Sequence, residues 1–437
     1  MRDTLLPLSV SEAEYATWKA GRQARRRTTL PTPAFVRVEG FSSGDEGRLV
    51  GQLAHHIGAA FVVDELEPEL EALSGLDRYE TITWRFVGNP AGETGLLVEA
   101  RAKSYGPPFL MVGLNLENTT SDAFRLTLTA RYLGYDMVGS GSEVRLDATI
   151  GSDPSLAAEL YKPFGSSPLF VAPYAGVTNR TFNLIKDEAT VASYGQTLTA
   201  VGLNLGINLG RLSDLRVGAY IGHLSADVKV GDPGLPAVTG KETVSEINWR
   251  YNSQDSPVVP SIGSAAYTNL KYLFDGPDIT PPLPTNRSSV GLTQLSGEDN
   301  TFWSVRHTNR AFLLSGAGTS FTNKPLPTDQ FTLGSPLHLG AYSNGELRGD
   351  HYYILTAGYL FQLGRMPDFL GGAIHAGGWI ENGDAFDTWS SAAFRTNVSG
   401  GVIMDTLIGP VMLAGSAGFD GRWRTYLGVG RIFGKRP

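Results

Sequence analysis

Residues 124–132 read FRLTLTARY, a run in which apolar and polar side chains alternate. The same period of two recurs in residues 143–150, EVRLDATI, and in residues 202–209, GLNLGINL. Alternation over such a length predicts a β-strand with one apolar and one polar face. With their flanking residues these runs reach roughly nine to eleven residues, which is enough for a tilted strand to cross a bilayer.

The region from residue 104 to residue 437 is predicted to form an antiparallel β-barrel. The polar faces of its runs carry glycine, asparagine and threonine as well as charges, as expected in a crowded, wet barrel interior. Its connections vary from short, as in residues 210–214, to long and proline-rich, as in residues 271–289, a pattern typical of outer-membrane barrels. At roughly twenty residues per strand and connection, the region holds about sixteen strands. A soluble protein of several sheets is the alternative interpretation.

The composition excludes several classes of protein. Only 18% of the 437 residues are charged, whereas 53 are glycine, and soluble chains are usually about 25% charged. The lack of cysteine excludes disulfide bonds and cysteine-based metal or redox sites. The net charge of −7 argues against nucleic acid as a partner. The N-terminus lacks a signal-peptide pattern, so we expect that a signal has been removed or that a longer precursor precedes this chain.

The N-terminal segment, residues 1–33, is predicted to form a helix and a linker. Ser11 stands three residues before Glu14, which is the spacing of a capping box. A helix is therefore expected within residues 9–27. Its closing arginines, residues 25–27, are interpreted as a solvated helix end, with contact to a membrane as the alternative.

Residues 34–103 are predicted to form one small α+β domain. Hydrophobic periodicity gives the order strand, helix, helix, strand, strand, over residues 35–38, 49–57, 66–73, 81–87 and 96–102. His55 and His56 lie near the end of the first of these helices. Neighbouring residues on a helix diverge and no acidic cluster adjoins them in the sequence, so no metal site is predicted there.

Together, these two parts resemble the bacterial surface antigen family, whose members join polypeptide-transport-associated (POTRA) domains to a sixteen-stranded barrel. Residues 34–103 look like one such domain. Residues 331–350, FTLGSPLHLGAYSNGELRGD, resemble the segment around the sixth extracellular loop, which folds back into the lumen in this family. Residues 377–383, GGWIENG, resemble the strand that receives this loop.

The resemblance implies a lock between loop and strand inside the lumen. Gly340 and Tyr342 would belong to the loop side of this lock, and Glu381 would occupy the acidic position of the receiving strand. The family's arginine precedes a glycine and an aromatic residue, but this chain has Leu339 there. Arg348 is the only arginine in the loop, and we expect it to pair with Glu381 from a shifted position.

The last predicted strand, residues 426–433, YLGVGRIF, resembles the barrel-targeting signal of the same family. It departs from that pattern at Arg431, where an aromatic residue is usual, and by the four residues that follow the final phenylalanine. The residues expected to carry the signal are Tyr426, Gly428, Val429 and Phe433.

Nearly the whole chain looks most similar to the rear portion of patatin-like phospholipases exported as type V-d autotransporters. The similarity lies in residues 8–26, in YKPF at 161–164 and in LHLGAY at 337–342. The lipase domain itself is missing. The string nearest to a Gly-x-Ser-x-Gly nucleophile elbow, residues 414–418, lacks the first glycine and lies in a strand-like stretch. We therefore predict a chain that is not an enzyme, with no catalytic, cofactor-binding or metal-binding residues.

The resemblance favours a module for translocation and anchoring, with the barrel in the outer membrane and the small domain in the periplasm. That domain would guide a secreted polypeptide passenger, patatin-like in kind, by pairing with it along a strand edge. An assembly factor (insertase) for other barrels is one alternative, although a single POTRA-like domain argues against it. Part of a lipid-hydrolysing patatin-like phospholipase is another. The expected partners are outer-membrane lipid, the barrel assembly machinery and the passenger; homodimerisation stays open.

Overall fold

The structure is a computed structural model in which the chain divides into two compact units, Met1–Gly106 and Pro107–Pro437. It describes residues 10–24, 30–41, 43–74, 79–103, 108–120, 124–139, 141–165, 167–186, 189–282, 287–306, 308–322, 324–367, 369–430 and 432–433. No helix in these ranges has the length and hydropathy of a membrane-spanning helix.

The first helix, α1, runs over Glu12–Ala24. The amide of Ser11 donates to the carboxylate of Glu14 at 2.8 Å, and the amide of Glu14 donates to the hydroxyl of Ser11 at 3.2 Å. The predicted capping box is confirmed by this reciprocal pair. Hydrogen bonds from the hydroxyl and the amide of Ser11 hold the pKa of Glu14 below its usual value. The arginine run at 25–27 lies outside the described residues.

The small domain packs two helices against a three-stranded sheet. Its elements are β1 (Val36–Glu39), α2 (Ser43–Leu53), α3 (Val63–Ser74), β2 (Tyr79–Gly88) and β3 (Thr94–Ala102). The sheet order is β1-β3-β2, with β1 parallel and β2 antiparallel to β3. Leucines of both helices form the core with β3, because Leu49, Leu66 and Leu96 are each almost completely buried. Among the described residues β2 pairs only with β3, which leaves its other edge open.

The two adjacent histidines lie outside the α-helix, contrary to the sequence interpretation. Helix α2 ends at Leu53, and a 3₁₀ turn over Ala54–His56 follows it. The ring centroids of His55 and His56 are only 4.0 Å apart. Glu69 on α3 lies beside both rings. The premise that the rings diverge and lack an acidic neighbour was therefore wrong, because the helix stops early and α3 supplies the carboxylate.

The second unit is a closed antiparallel barrel of sixteen long strands, which confirms the predicted fold class. These strands are β4 (Phe109–Thr119), β5 (Arg125–Tyr135), β6 (Glu143–Gly151), β7 (Ser155–Pro163), β8 (Leu169–Lys186), β9 (Ala189–Asn208), β10 (Ser213–Val230), β11 (Ala237–Asn252), β12 (Gly263–Asp275), β14 (Thr293–Val305), β15 (Asn309–Ser320), β18 (His351–Arg365), β19 (Gly371–Phe386), β20 (Arg395–Thr406), β21 (Gly409–Gly418) and β22 (Trp423–Val429). A short strand, β13 (Asp278–Thr280), extends the wall beside β11. A hairpin of β16 (Phe331–Leu333) and β17 (Leu347–Gly349) is separate from the wall.

The alternation seen in the sequence separates the two faces of the barrel wall. On β9, Leu203 and Leu205 are exposed on the outside, whereas Asn204 between them is buried in the interior. Leu126 and Leu128 on β5 are likewise exposed. The barrel therefore presents an apolar outer face and a polar inner face, as the period of two predicted.

One predicted long connection begins later than the sequence indicated. Residues 271–289 were expected to form a long loop, but β12 continues to Asp275 and β13 follows almost at once. Lys271 belongs to the wall and points inward, where its ammonium group meets Asp329 at 3.0 Å. In the sequence, the alternation of apolar and polar residues was expected to end before residue 271. In the structure, the backbone hydrogen bonds of β12 continue beyond that residue.

Candidate functional site in the barrel lumen

Residues 321–350, here called the lumen loop, connect β15 to β18 and fold back into the barrel. The β16–β17 hairpin closes the loop near its two ends, and the segment between these strands forms the tip. Leu337 and Leu339 at the tip both have a φ of +67°, a conformation that leucine rarely adopts. Both side chains are buried, and Thr356 donates to the carbonyl of Leu337 at 2.8 Å. Packing therefore holds a strained tip in place.

Glu381 on β19 receives the loop tip. Its completely buried carboxylate accepts hydrogen bonds from the Gly340 amide at 2.6 Å and the Trp379 indole N–H at 2.8 Å. The Ser399 hydroxyl donates to it at 3.3 Å. The amide of Asn397, with its oxygen turned toward the tip, also accepts from Gly340, at 3.2 Å. A buried carboxylate is costly unless it is hydrogen-bonded, and here these donors compensate its burial.

Gly340 is the point of closest approach between the loop and the wall. A β-carbon there would collide with the Ser416 hydroxyl and lie 3.2 Å from the Ser416 β-carbon. It would also lie 3.3 Å from the ring of Tyr426. Only glycine leaves room for its own amide to reach Glu381.

Tyr342 fixes the other side of the tip. Its hydroxyl donates to Asp420 at 2.6 Å, and the guanidinium of Arg422 lies 4.6 Å from the centre of its ring. Arg424 donates to the carbonyl of Ala341 at 3.0 Å. Burial opposes ionisation of Asp420, but the hydrogen bond from Tyr342 and the charge of Arg422 keep its pKa below the usual value. The tip is thus bound by side chains from strands β19 to β22 and the turn before β22.

Arg348 is not part of this arrangement, which corrects the predicted pairing with Glu381. Arg348 lies on β17 opposite Thr332, and its guanidinium donates to the carbonyl of Pro327. The guanidinium also stacks 5.1 Å from the ring centre of Phe182 on β8. Among the described residues no cation forms an ion pair with Glu381. The physical reason is the hairpin register, which keeps Arg348 near the ends of the loop while Glu381 binds its tip.

We expect the variants Arg348→Ala and Glu381→Ala to act independently. Sites that share no contact are additive within about 0.3–0.5 kcal/mol. The measurement is the temperature at which the barrel loses its faster migration on unheated gels, for each single variant and the double variant. The pair Tyr342→Phe and Asp420→Ala, whose wild-type side chains share a hydrogen bond, is the matched cycle and should be non-additive. A coupling between Arg348 and Glu381 as large as in that cycle would contradict the structure.

The barrel closes through a short seam between β22 and β4. Only four residue pairs join these strands in the described chain, among them Gly428 with Glu117 and Val429 with Leu116. Every other pair of neighbouring long strands shares at least seven. Tyr426 on the same strand is buried and faces the lumen. Among the described residues, the seam is therefore the shortest ladder of paired residues between neighbouring long strands.

The chain leaves the wall after Val429, so the predicted strand over residues 426–433 is too long. Gly430 has a φ of +101°, and a β-carbon there would collide with the carbonyl of Leu114. Phe433 turns into the lumen, where its ring centroid lies 5.2 Å from that of Phe302 and 5.4 Å from that of Phe312. The terminal aromatic is thus a buried part of the lumen core rather than a residue of the closing strand.

A cavity of about 390 Å³ lies on the lumen side of the seam. Leu116 and Glu117 of β4, Gly428 of β22, the loop tip near Leu337, and Phe433 all contribute to its lining. The lumen side of the seam therefore borders open space, which the tip of the lumen loop and Phe433 also line.

Ser416, the serine of the string resembling a nucleophile elbow, lies within the extended strand β21. Its hydroxyl is 2.5 Å from that of Ser399 and 3.4 Å from that of Tyr426. A nucleophile elbow requires a sharp turn from a strand into a helix, and residues 414–418 form no such turn.

The sequence pointed to some residues of this site and not to others. The resemblance singled out Gly340, Tyr342 and Glu381, which the structure places at the loop tip. It missed Asn397 and Asp420, because nothing in their local sequence distinguishes them from other polar residues. Trp379 stands two residues before Glu381 on the same strand, so the alternation of a strand places both on one face.

No protein-family model and no curated protein sequence matches this chain. Solved structures do share its fold. BamA from Haemophilus ducreyi lacking POTRA domains 1–3 has a TM-score of 0.64 at 10% identity, over 91% of this chain and 84% of that one. CdiB from Acinetobacter baumannii has a TM-score of 0.57 at 11% identity, over 92% and 74%. CdiB from Escherichia coli has a TM-score of 0.59 at 12% identity, over 91% and 77%. At these identities the likeness establishes the fold.

Proposed function

We propose that this chain is an outer-membrane barrel that translocates or anchors a polypeptide, and that its seam opens during this work. The observation that carries the proposal is the seam of four residue pairs backed by a cavity of about 390 Å³. A wall joined so briefly at one place can part there while the remaining strands keep their ladders. The shared fold with BamA and CdiB supports the same conclusion.

The outer face of the barrel supports a position in a membrane. Large apolar side chains such as Val201, Ile221 and Phe361 lie exposed on strands from different parts of the wall. Soluble proteins rarely expose continuous apolar patches of more than a few hundred Å². A closed barrel also satisfies every backbone group of its wall internally, which is the requirement for strands in lipid.

The small domain is proposed to be a single POTRA domain in the periplasm. Its strand order and the open edge of β2 support this, because an extended peptide can add to such an edge through main-chain hydrogen bonds. The nature of the passenger is a finer proposal, which rests on the sequence resemblance to patatin-like autotransporters. In that case the passenger is a patatin-like domain.

The seam can be tested with a cysteine pair, because the chain contains no cysteine of its own. Glu117→Cys with Gly428→Cys would join register partners across the seam. With a peptide epitope fused before Met1, we expect protease added to intact cells to cleave the epitope in the wild type. Cleavage should fall to the level of cells without the barrel when the pair is oxidised, and return on reduction.

The matched control is Glu298→Cys with Gly316→Cys, a glutamate–glycine register pair within the twelve residue pairs of β14 and β15. Oxidation of this pair should leave cleavage unchanged. An epitope that stays protected in the wild type would refute translocation. An epitope cleaved equally with the seam oxidised and reduced would show that the seam stays closed during transport.

An assembly factor for other barrels is the second candidate, favoured by the TM-score of 0.64 to BamA. It predicts that liposomes containing this chain speed the folding of a urea-denatured outer-membrane barrel, and that the oxidised seam pair abolishes the effect. A translocation barrel would leave that folding rate unchanged.

A further inference from the structure

The small domain brings together three side chains that bind metals, His55, His56 and Glu69. One ligand atom from each lies within 4.8 Å of the others. The histidines come from the 3₁₀ turn that follows α2, and Glu69 comes from α3. The cluster therefore bridges the two helices of the domain, and it is unrelated to the barrel site described above.

His55 is already oriented as a metal ligand. Its Nδ1 lies 2.7 Å from the carbonyl oxygen of Gln52 and, because a carbonyl can only accept, Nδ1 carries the proton. The lone pair of the neutral ring is therefore on Nε2, which lies 3.2 Å from a carboxylate oxygen of Glu69. A backbone carbonyl that fixes the tautomer in this way is the usual second partner of a metal-binding histidine.

His56 supplies an independent observation. Its side chain is 97% buried, and within the described residues its Nε2 has no hydrogen-bond partner. The other carboxylate oxygen of Glu69 lies 3.7 Å from this nitrogen, which is too long for a hydrogen bond. A buried polar nitrogen without a partner is unfavourable, because it has lost its hydrogen bonds to water. Its ring is held in the domain core by Phe61, whose ring centroid lies 5.7 Å away.

Simple ion pairing explains this arrangement less well. A protonated His55 could pair with Glu69 at the surface, but this would leave the buried nitrogen of His56 without a partner. A cation held between the three ligand atoms satisfies all of them at once.

We propose that His55, His56 and Glu69 bind Zn²⁺. Two imidazoles and one carboxylate are three of the four ligands of a tetrahedral zinc ion, and the fourth position is left for water. Neutral imidazole with carboxylate suits zinc, whereas the softer ions prefer thiolates, which this chain lacks. The ion would tie α3 to the end of α2 and so stiffen the helical face of the domain.

The test is calorimetric titration of ZnCl₂ into the full chain in detergent, with any histidine tag removed. We expect one ion per chain. His55→Gln and Glu69→Gln remove ligands, so each should weaken binding at least about 100-fold, given that changes to second-shell partners alone cost about 10–100-fold. His55 is exposed, so its replacement leaves the domain core intact.

Glu71→Gln is the matched control, because it removes the same charge from an exposed position of the same helix. It should bind Zn²⁺ like the wild type, and Co²⁺ should give visible d–d absorption of a tetrahedral site in both proteins. Binding must also weaken in acid, since protons compete for the imidazoles. Failure of the wild type to bind, or binding that survives both His55→Gln and Glu69→Gln, would overturn the proposal. Neither outcome bears on the transport function of the barrel.

Discussion

Replacing Gly340 with valine should release the lumen loop from the barrel wall. A β-carbon at this position collides with the Ser416 hydroxyl, and rotation of that hydroxyl would still leave it 3.2 Å from the Ser416 β-carbon and 3.3 Å from the ring of Tyr426. Over-packing of this kind costs about 1–3 kcal/mol. The displaced amide also loses its hydrogen bond to Glu381, and a bond to a charged group contributes about 1.5–3 kcal/mol. Both effects weaken the docked state, so the loop should undock.

The measurement is ion conductance of the purified barrel in planar bilayers. The wild type, with its loop docked, should conduct little, and Gly340→Val should give long-lived openings of higher conductance. Gly364→Val on β18 is the matched control, because a β-carbon there meets no atom within 4 Å. Equal conductance in all three proteins would show that the loop tip does not obstruct the lumen.

The period of two in the sequence predicted the strands of the barrel, because each wall residue faces either the lumen or the outside. The composition of the polar faces and the varied connections then favoured a barrel over a soluble protein of several sheets. It could not predict where strands end. Strands β8, β9 and β10 have 18 to 20 residues, well beyond the length of their alternating cores. Beyond these alternating cores, the ends of the strands are held by hydrogen bonds to neighbouring strands. Such backbone bonds permit polar residues on both faces.

The partners of the loop tip were less accessible to sequence reasoning. Glu381 lies 41 residues from Gly340 in sequence, and Asp420 lies 78 residues from Tyr342. These contacts depend on the path of the loop through the lumen, and no local sequence pattern specifies that path. Arg348 was misplaced for the same reason, since its position depends on the register of the β16–β17 hairpin. Likewise, the approach of Glu69 to the two histidines depends on how α3 packs against α2.

The sequence and the structure suggest different roles for Phe433. As the final aromatic of the chain it was interpreted as part of a barrel-targeting signal. In the structure it is buried in the lumen between Phe302 and Phe312, four residues after β22 ends. These two roles predict different failures when the ring is removed. A targeting role affects delivery in the cell, whereas a packing role affects the folded barrel itself.

Phe433→Ala should therefore lower the stability of the purified barrel as well as its yield. Removing a buried phenylalanine costs about 3–5 kcal/mol, because the surrounding rings cannot fully close the cavity. The measurement is the temperature at which the barrel, refolded in detergent without cellular machinery, loses its faster migration on unheated gels.

Phe419→Ala is the matched control, since that ring is 79% exposed and its removal should have little effect. Phe433→Leu should recover most of the stability, because it refills most of the volume with apolar atoms. If Phe433→Ala refolds to a barrel as stable as the wild type while its level in the outer membrane falls, the ring acts in targeting alone. A fall in both quantities, with recovery by leucine, means that packing of the lumen core requires Phe433.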